Sequence, residues 1–131
     1  MKELRIIIAG SREFNDLSKL INSMKDIIHQ LSLENGSLGN IRIISGDAIG
    51  ADKKGEEFAK LFGLDLSVFP ADWEKNGRSA GYIRNVEMAK FAIEDNSYGV
   101  LVAFWNGKSK GTKHMIDTAH KYGLKVYVVT F

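Results

Sequence analysis

The sequence predicts an α/β fold: a single domain with an open parallel sheet of about five strands and helices on both faces. Short apolar runs of strand length alternate with longer segments whose apolar residues recur at helical spacing. Such alternation is typical of parallel sheets built from β-α-β units. The 131 residues contain one proline and no linker or low-complexity tract. Residues 1–131 are therefore expected to form one Rossmann-like domain.

The first half of the chain supplies three predicted strands and two helices. Leu4–Ala9 is apolar apart from one arginine, which is typical of a strand that is buried on both faces, and Ile41–Ser45 has the same character. Leu64–Phe69 alternates apolar and polar residues and is predicted to lie nearer an edge. Asn15 or Asp16 is predicted to cap the first helix. The apolar stripes of the two helices comprise Leu17, Leu20, Ile21, Met24, Ile27, Ile28 and Leu31, then Ala51, Gly55, Phe58, Ala59 and Phe62.

The second half of the chain alternates in the same way. The polar segment from Pro70 to Ser79 is predicted to be a loop. A third helix follows it, and Val100–Phe104 and Val126–Val129 are the fourth and fifth predicted strands. Ile83, Val86, Met88, Ala89, Ala92 and Ile93 mark the third helix, and Thr112, Met115, Ile116 and Ala119 mark a fourth.

The composition excludes several classes of function. The chain has no cysteine, so disulfides, thiolate metal sites and a cysteine nucleophile are excluded. A net charge of +2 is too small to indicate nucleic-acid binding by bulk electrostatics, and no segment approaches the ~20 apolar residues of a membrane span. The three histidines have no metal-ligand spacing, so no metal is expected. Because no signal-peptide pattern is evident either, we expect a cytoplasmic protein.

Three glycine-containing turns carry cations at the predicted starts of helices. They are Gly10–Arg12, Arg78–Gly81 and Gly107–Lys113. An unbalanced cation at this positive end of the helix dipole costs roughly 0.3–1 kcal/mol, whereas free backbone N–H groups at the same place bind anions. Ligands of open α/β sheets bind beyond the carboxyl ends of the strands. The turns therefore predict a phosphate site there; the alternatives are an ordinary turn with a surface arginine and a solvated basic turn.

The turn after the second predicted strand, Ser45–Asp52, offers acceptors rather than donors. It lacks the glycine spacing of the dinucleotide fingerprint and the Gly-Lys-Ser/Thr of a P-loop. Asp47 or Asp52 is predicted to accept hydrogen bonds from a ribose hydroxyl or a base. The alternative is that Asp52 only complements the start of a helix.

The polar segment that precedes the third predicted helix completes the candidate site. Arg78 and Arg84 are predicted to clamp a phosphate, and Trp73, Tyr82 or Trp105 to stack against a base. The alternative is that Trp73 and Tyr82 are core residues and that Arg84 pairs with a nearby acid, Asp72 or Glu87. The predicted ligand-binding residues are Gly10, Ser11, Arg12, Gly46, Asp47, Gly50, Asp52, Asp72, Trp73, Arg78, Arg84, Asn85, Trp105, Asn106, Gly107, Lys108, Ser109, Gly111 and Thr112.

Several segments match the motifs of one family in order along the chain. They are Ile8–Phe14, Ser45–Asp52, Phe69–Trp73, Gly77–Met88 and Phe104–Gly107 with Gly111-Thr112. Together they resemble the YspA (YpsA-related) branch of the SLOG superfamily over nearly the whole chain. The resemblance implies a Rossmann-like sheet, a nucleotide-type ligand and a homodimer or larger homo-oligomer. The wider superfamily includes the Lonely Guy phosphoribohydrolases, the DNA-processing protein DprA and sensor domains for NAD-derived signals.

The enzymatic motif of the Lonely Guy relatives is incomplete in this chain. Those enzymes carry Pro-Gly-Gly-x-Gly-Thr closely followed by a glutamate, whereas Lys113 and His114 stand here where the acid is expected. Cleavage of an N-glycosidic bond passes through an oxocarbenium-like cation, which a carboxylate stabilises and a lysine does not. We therefore expect a sensor or sequestering protein that binds a nucleoside phosphate or an NAD- or ADP-ribose-like signal, with no cofactor required.

Two alternative functions stay open. One is a nucleoside 5′-monophosphate phosphoribohydrolase, for which Glu87 is the candidate catalytic acid. The other is DprA-like binding of single-stranded nucleic acid through Lys108, Lys110 and Lys113, which the modest net charge disfavours.

Overall fold

One parallel sheet organises the computed structural model, which describes residues 2–131; Met1, the first residue of the predicted domain, lies outside the described residues. The strands are β1 (Leu4–Gly10), β2 (Ile41–Ser45), β3 (Asp65–Val68), β4 (Tyr98–Trp105) and β5 (Lys125–Thr130). Their order in the sheet is β3-β2-β1-β4-β5, and every neighbouring pair is parallel. The winding reverses between β1 and β4, the central pair. The predicted α/β fold with five strands is confirmed.

Helices cover both faces of this sheet. They are α1 (Leu17–Asn35), α2 (Ala51–Leu61), α3 (Trp73–Asn76), α4 (Ala80–Ile93) and α5 (Lys110–Lys121), with 3₁₀ turns at Gly77–Ser79 and Glu94–Asn96. Asp16 caps α1 as predicted, because its carboxylate accepts a hydrogen bond from the Lys19 N–H at 3.0 Å. Within residues 2–131, no helix combines the length and the apolar character that crossing a membrane requires.

The central strands divide their side chains between two apolar clusters. Ile6 and Ile8 of β1 pack with α1 and α2, whereas Ile7 and Ala9 pack with α4 and α5. This alternation explains why β1 is continuously apolar: both of its faces are covered. Gly55 lets α2 lie close to the sheet, since a Cβ there would come within 2.8 Å of Ile8 Cγ2. The sheet is thus a rigid base for the loops at its carboxyl edge.

The structure corrects two predictions about local structure. The segment Pro70–Ser79 is not a loop throughout, because the Asp72 carboxylate accepts the Lys75 N–H at 3.1 Å and starts the short helix α3. The prediction that Arg12 lies at the start of a helix is wrong. The Phe14 N–H donates back to the Ser11 carbonyl oxygen at 3.1 Å, and this turn delays α1 until Asp16 can cap it.

Candidate functional site

A cleft of about 650 Å³ lies at the carboxyl edge of the sheet. The loops after β1, β2 and β3 form its floor and one side, and the first turns of α4 and α5 form the other. Its volume is within the range of small-molecule sites, about 300–1,000 Å³. The predicted residues that line it are Gly10, Arg12, Gly46, Asp47, Asp52, Trp73, Arg78, Arg84, Asn85, Ser109, Gly111 and Thr112.

The other predicted ligand-binding residues do not line the cleft: Ser11, Gly50, Asp72, Trp105, Asn106, Gly107 and Lys108. Ser11 is fully buried, and its hydroxyl accepts the Asn106 N–H at 3.2 Å, which ties the loop after β1 to the loop after β4. Gly50 has φ 86° and crosses over the loop after β1, where a Cβ would lie 2.5 Å from the Ser11 carbonyl oxygen. Ser11 and Gly50 therefore support the loops of the cleft without lining it.

The basic turn after β4 uses most of its backbone donors internally. Asn106 Oδ1 accepts the N–H groups of Lys108 and Ser109 at 2.9 and 3.0 Å. The Trp105 indole N–H donates to the Ser109 carbonyl oxygen at 3.1 Å, so this ring braces the turn. The predicted phosphate cradle over Gly107–Thr112 is therefore smaller than expected, because the N–H groups of Lys108, Ser109 and Thr112 already have protein acceptors.

Two donors of this turn remain directed to the cleft side. Ser109 Oγ accepts hydrogen bonds from the backbone N–H and the hydroxyl of Thr112, at 3.3 and 3.0 Å. A hydroxyl that accepts twice keeps its own proton for a further acceptor. The Gly111 N–H lies in the first turn of α5, where no intrahelical carbonyl is available to it. Ser109 and Gly111 both line the cleft and can therefore donate to a bound anion.

A half-buried guanidinium and a buried carboxylate form the floor of the cleft. Arg84 Nη1 donates to the Gly46 carbonyl oxygen, and Arg84 Nε donates to Asn85 Oδ1 at 3.2 Å. Asp52 is 5% exposed, and its Oδ2 accepts the Ala48 N–H at 3.2 Å. A Cβ at Gly46 would lie 2.7 Å from Arg84 Nη1 and 2.8 Å from Asp52 Oδ2. Only glycine therefore lets this floor close.

Burial dominates the electrostatics of this pair. It raises the pKa of Asp52 to about 6, against the opposing effects of the Ala48 hydrogen bond and the Arg84 charge. It also lowers the pKa of Arg84, although the charges of Asp52, Asp47 and Glu87 oppose that change. A buried, perturbed acid beside a guanidinium in a cleft is a frequent property of functional sites.

Three arginines, Arg12, Arg78 and Arg84, line the cleft, and within residues 2–131 none of them forms an ion pair with a carboxylate. The alternative that Arg84 pairs with Asp72 or Glu87 is therefore wrong. Asp47, the other acid of the lining, already contacts Lys53.

Two aromatic rings stand at the mouth of the cleft. Trp73 is 56% exposed and Tyr82 is 47% exposed, and both line the cavity. The alternative that they are core residues is therefore wrong. Tyr82 is held from behind by His114, whose ring stacks on it at a centroid distance of 4.1 Å and an angle of 15°. A flat ligand group can thus meet a preformed aromatic surface.

The sequence analysis did not predict the apolar part of the lining, and its candidate catalytic acid, Glu87, lies outside the lining. The additional lining residues are Ala9, Ala48, Ile49, Pro70, Ala71, Gly81, Met88 and Met115. Met88 and Met115 belong to the apolar stripes of their helices and to the buried core, so no signal in the sequence indicates that they also border the cleft. Glu87 is exposed and does not line the cleft. Residues 2–131 contain no group of three or more histidine or acidic side chains placed to hold a metal ion.

Fold and site together define a Rossmann-like α/β protein with a cleft at the carboxyl edge of its sheet, and three arginines line this cleft. The chain is 31% identical to the Gene 61 protein of Mycobacterium phage D29 over 127 residues, which cover 93% of each chain. It belongs to the family of that phage protein. No family model matches the chain, and no solved structure matches it significantly.

Proposed function

We propose that this protein binds a nucleotide or a nucleotide-derived signal in the cleft, as a sensor or sequestering protein of the SLOG type. The ligand is a nucleoside phosphate or an NAD- or ADP-ribose-like molecule. One observation carries the proposal: three arginines that have no carboxylate partner among residues 2–131 line the same cleft as two exposed aromatic rings. An anion and a flat apolar group joined in one molecule satisfy both.

The phosphate is assigned to Arg84, Ser109 and Gly111, which line the same cleft. Arg84 is already oriented by Gly46 and Asn85, so little side-chain entropy is lost when it binds. The Ser109 hydroxyl and the Gly111 N–H are further donors to the same anion, at the positive end of α5. Arg78, which is exposed at the rim, adds charge without a fixed geometry.

The sugar and the base are assigned to the remaining surface. One oxygen of Asp52 is bonded to Ala48, which leaves acceptor capacity for a ribose hydroxyl. Trp73 and Tyr82 offer the faces on which a base stacks. Binding rather than hydrolysis is proposed because Glu87, the candidate catalytic acid, lies outside the cleft lining.

Titration calorimetry tests this function with AMP, ADP-ribose and NAD as ligands and adenosine as the phosphate-free control. We expect AMP or ADP-ribose to bind at least about tenfold more tightly than adenosine, because charge-assisted hydrogen bonds contribute about 1.5–3 kcal/mol. Arg84→Ala should weaken binding by about 10- to 100-fold. Lys90→Ala, an exposed cation on the same helix, is the matched control and should bind normally.

Two outcomes would reject the proposal. If adenosine binds as tightly as AMP, or if Arg84→Ala binds as the wild type does, the arginines do not recognise a phosphate. Release of free adenine from AMP, detected by chromatography during the same experiment, would instead establish the phosphoribohydrolase.

A further inference from the structure

A buried amide links the two helices that form one side of the cleft. Asn85 of α4 is 5% exposed, and its side chain has partners in three directions. Its Oδ1 accepts from Arg84 Nε at 3.2 Å, and its Nδ2 donates to the Gly111 carbonyl oxygen at 3.3 Å. The same Nδ2 lies 3.1 Å from Nδ1 of His114. The amide therefore joins the phosphate-facing arginine to α5.

The partners of this amide fix its orientation. A guanidinium can only donate a hydrogen bond and a carbonyl oxygen can only accept one. Oδ1 must therefore face Arg84, and Nδ2 must face Gly111. The second hydrogen of Nδ2 is then directed at Nδ1 of His114, which has to be the acceptor. His114 must consequently be neutral, with its proton on Nε2.

A proton on Nδ1 of His114 would conflict with this arrangement. It would place a donor against the Asn85 donor, and turning the amide over would set Nδ2 against Arg84 Nε–H and Oδ1 against the Gly111 oxygen. Burial lowers the pKa of His114, which agrees with a neutral ring, while the charge of Asp117 opposes this. The other charged or titratable groups on the two packed helices are Tyr82, Arg84, Glu87 and Lys90 of α4 and Lys110, Lys113, His120 and Lys121 of α5.

We propose that Asn85 is a positioning residue: its amide holds Arg84 in the cleft, and it can do so only while His114 is the neutral Nε2–H tautomer. This inference rests on the proposed role of Arg84 in binding phosphate. It makes His114, which does not line the cleft, a second determinant of affinity through Asn85.

Nitrogen NMR of the ligand-free wild type tests the tautomer without any substitution. At neutral pH, His114 should show a protonated Nε2 and an unprotonated Nδ1, and Arg84 Nε–H should exchange slowly with solvent. His120, exposed near the end of the same helix and outside the Asn85 contacts, serves as the internal reference for assigning the ring nitrogens. A proton on Nδ1 of neutral His114 would overturn the inference.

Asn85→Asp tests the link from the amide to the histidine at nearly constant volume. A carboxylate still accepts from Arg84, but it also accepts from a protonated Nδ1 and attracts its charge. The pKa of His114 should therefore rise by about 1 or more relative to the wild type. An unchanged pKa of His114 in this folded variant would contradict the proposed contact.

A double-mutant cycle with AMP as the probe tests positioning against a merely structural role. Asn85→Ala should weaken AMP binding by about five- to tenfold when Arg84 is present, and by less than about twofold in the Arg84→Ala background. Equal losses in both backgrounds would show that Asn85 does not act through Arg84. If AMP does not bind the wild type at all, the proposed function fails, and the NMR results still decide the Asn85 contacts on their own.

Discussion

The two edges of the sheet carry the same residue type in opposite electrostatic situations. At the amino edge Arg5 is 7% exposed and has three acceptors, Glu3 at 2.7 Å, the Phe91 carbonyl oxygen at 2.6 Å and Asp95 at 3.2 Å. Nearby, Arg42 pairs with Glu3 at 3.2 Å. Within the described residues, the three arginines of the cleft at the carboxyl edge have no such carboxylates.

This difference separates charges that maintain the fold from charges that are open to a ligand. The amino-edge network closes on itself, so it contributes to stability and leaves little for an incoming anion. Within the described residues the cleft arginines form no such ion pairs, so an incoming anion would not have to displace a carboxylate from them. The comparison predicts that substitutions at the two edges change different measured quantities.

The largest expected effect is on stability, at the amino edge. Arg5→Leu removes a buried guanidinium and leaves the Glu3 carboxylate short of partners, so the free energy of unfolding should fall by about 3 kcal/mol. Arg78→Leu at the other edge should change it by less than about 0.5 kcal/mol, because Arg78 is exposed and unpaired. Urea denaturation measures the free energy of unfolding of both variants. If the two substitutions lowered it equally, the proposed difference between the two edges of the sheet would be wrong.

The pH dependence of stability should have opposite signs at the two edges. Hydrogen bonds from Asn40 and Arg5 lower the pKa of Glu3 to about 2, whereas burial raises the pKa of Asp52 to about 6. The stabilisation from Glu3 is therefore complete above its ordinary pKa of 4.5 and is lost as the pH falls towards 2. Asp52 lowers the free energy of unfolding by about 2–3 kcal/mol as the pH rises from 3.8 to about 6.

Denaturation of Glu3→Gln and Asp52→Asn across this range checks the signs. Relative to the wild type, Asp52→Asn should gain stability as the pH rises towards 6, and Glu3→Gln should lose it as the pH rises from about 2 to 4.5. If the free energy of unfolding of both variants changed with pH in the same direction relative to the wild type, the predicted difference between the two acids would be wrong.

A smaller effect is expected when a rim cation of the cleft is removed. Arg78→Ala should weaken AMP binding by about three- to tenfold, and the loss should shrink as salt screens this exposed charge. Calorimetry at two ionic strengths measures it, with Lys90→Ala as the control. A loss that is independent of salt would mean that Arg78 acts through packing instead.

The smallest expected effect concerns the aromatic mouth of the cleft. Stacking of a base on Trp73 should quench its fluorescence, and Trp73→Phe should lower the affinity for AMP by only about two- to fivefold, since a ring remains. Trp105, the other tryptophan of the chain, braces the basic turn outside the cleft and provides the unquenched background. Full quenching in Trp73→Phe would assign the signal to Trp105.

The sequence predicted the features that depend on pattern alone. Continuous apolar runs identified β1 and β2, and the rule that ligands bind beyond the carboxyl ends of strands placed Arg84 and Gly46 at one cleft. The mistakes arose where a side chain supplied a partner that was not predicted. Asn106 accepts the N–H groups of Lys108 and Ser109, two and three residues further on, which were expected to be free.

The sequence analysis also did not predict that Asp72 caps a helix or that Gly50 packs against a neighbouring loop. Asp72 was predicted to be a loop residue, but its carboxylate accepts the Lys75 N–H and starts α3. Gly50 was predicted to contact a ligand, but its lack of a side chain instead allows this loop to cross closely over Ser11. In each case the residue type was informative, and the partner, three residues along the chain for Asp72 and in a different loop for Gly50, decided its role.

The crossing at Gly50 has a consequence for how this protein can diversify. Because a Cβ at Gly50 would clash with the Ser11 carbonyl oxygen and the Arg12 Cα, the crossing requires glycine at this position. We therefore expect the two loops to change together, as one block. Changes of ligand preference among relatives are expected instead in the length and composition of Pro70–Ser79, which borders the opening and can vary independently of that block.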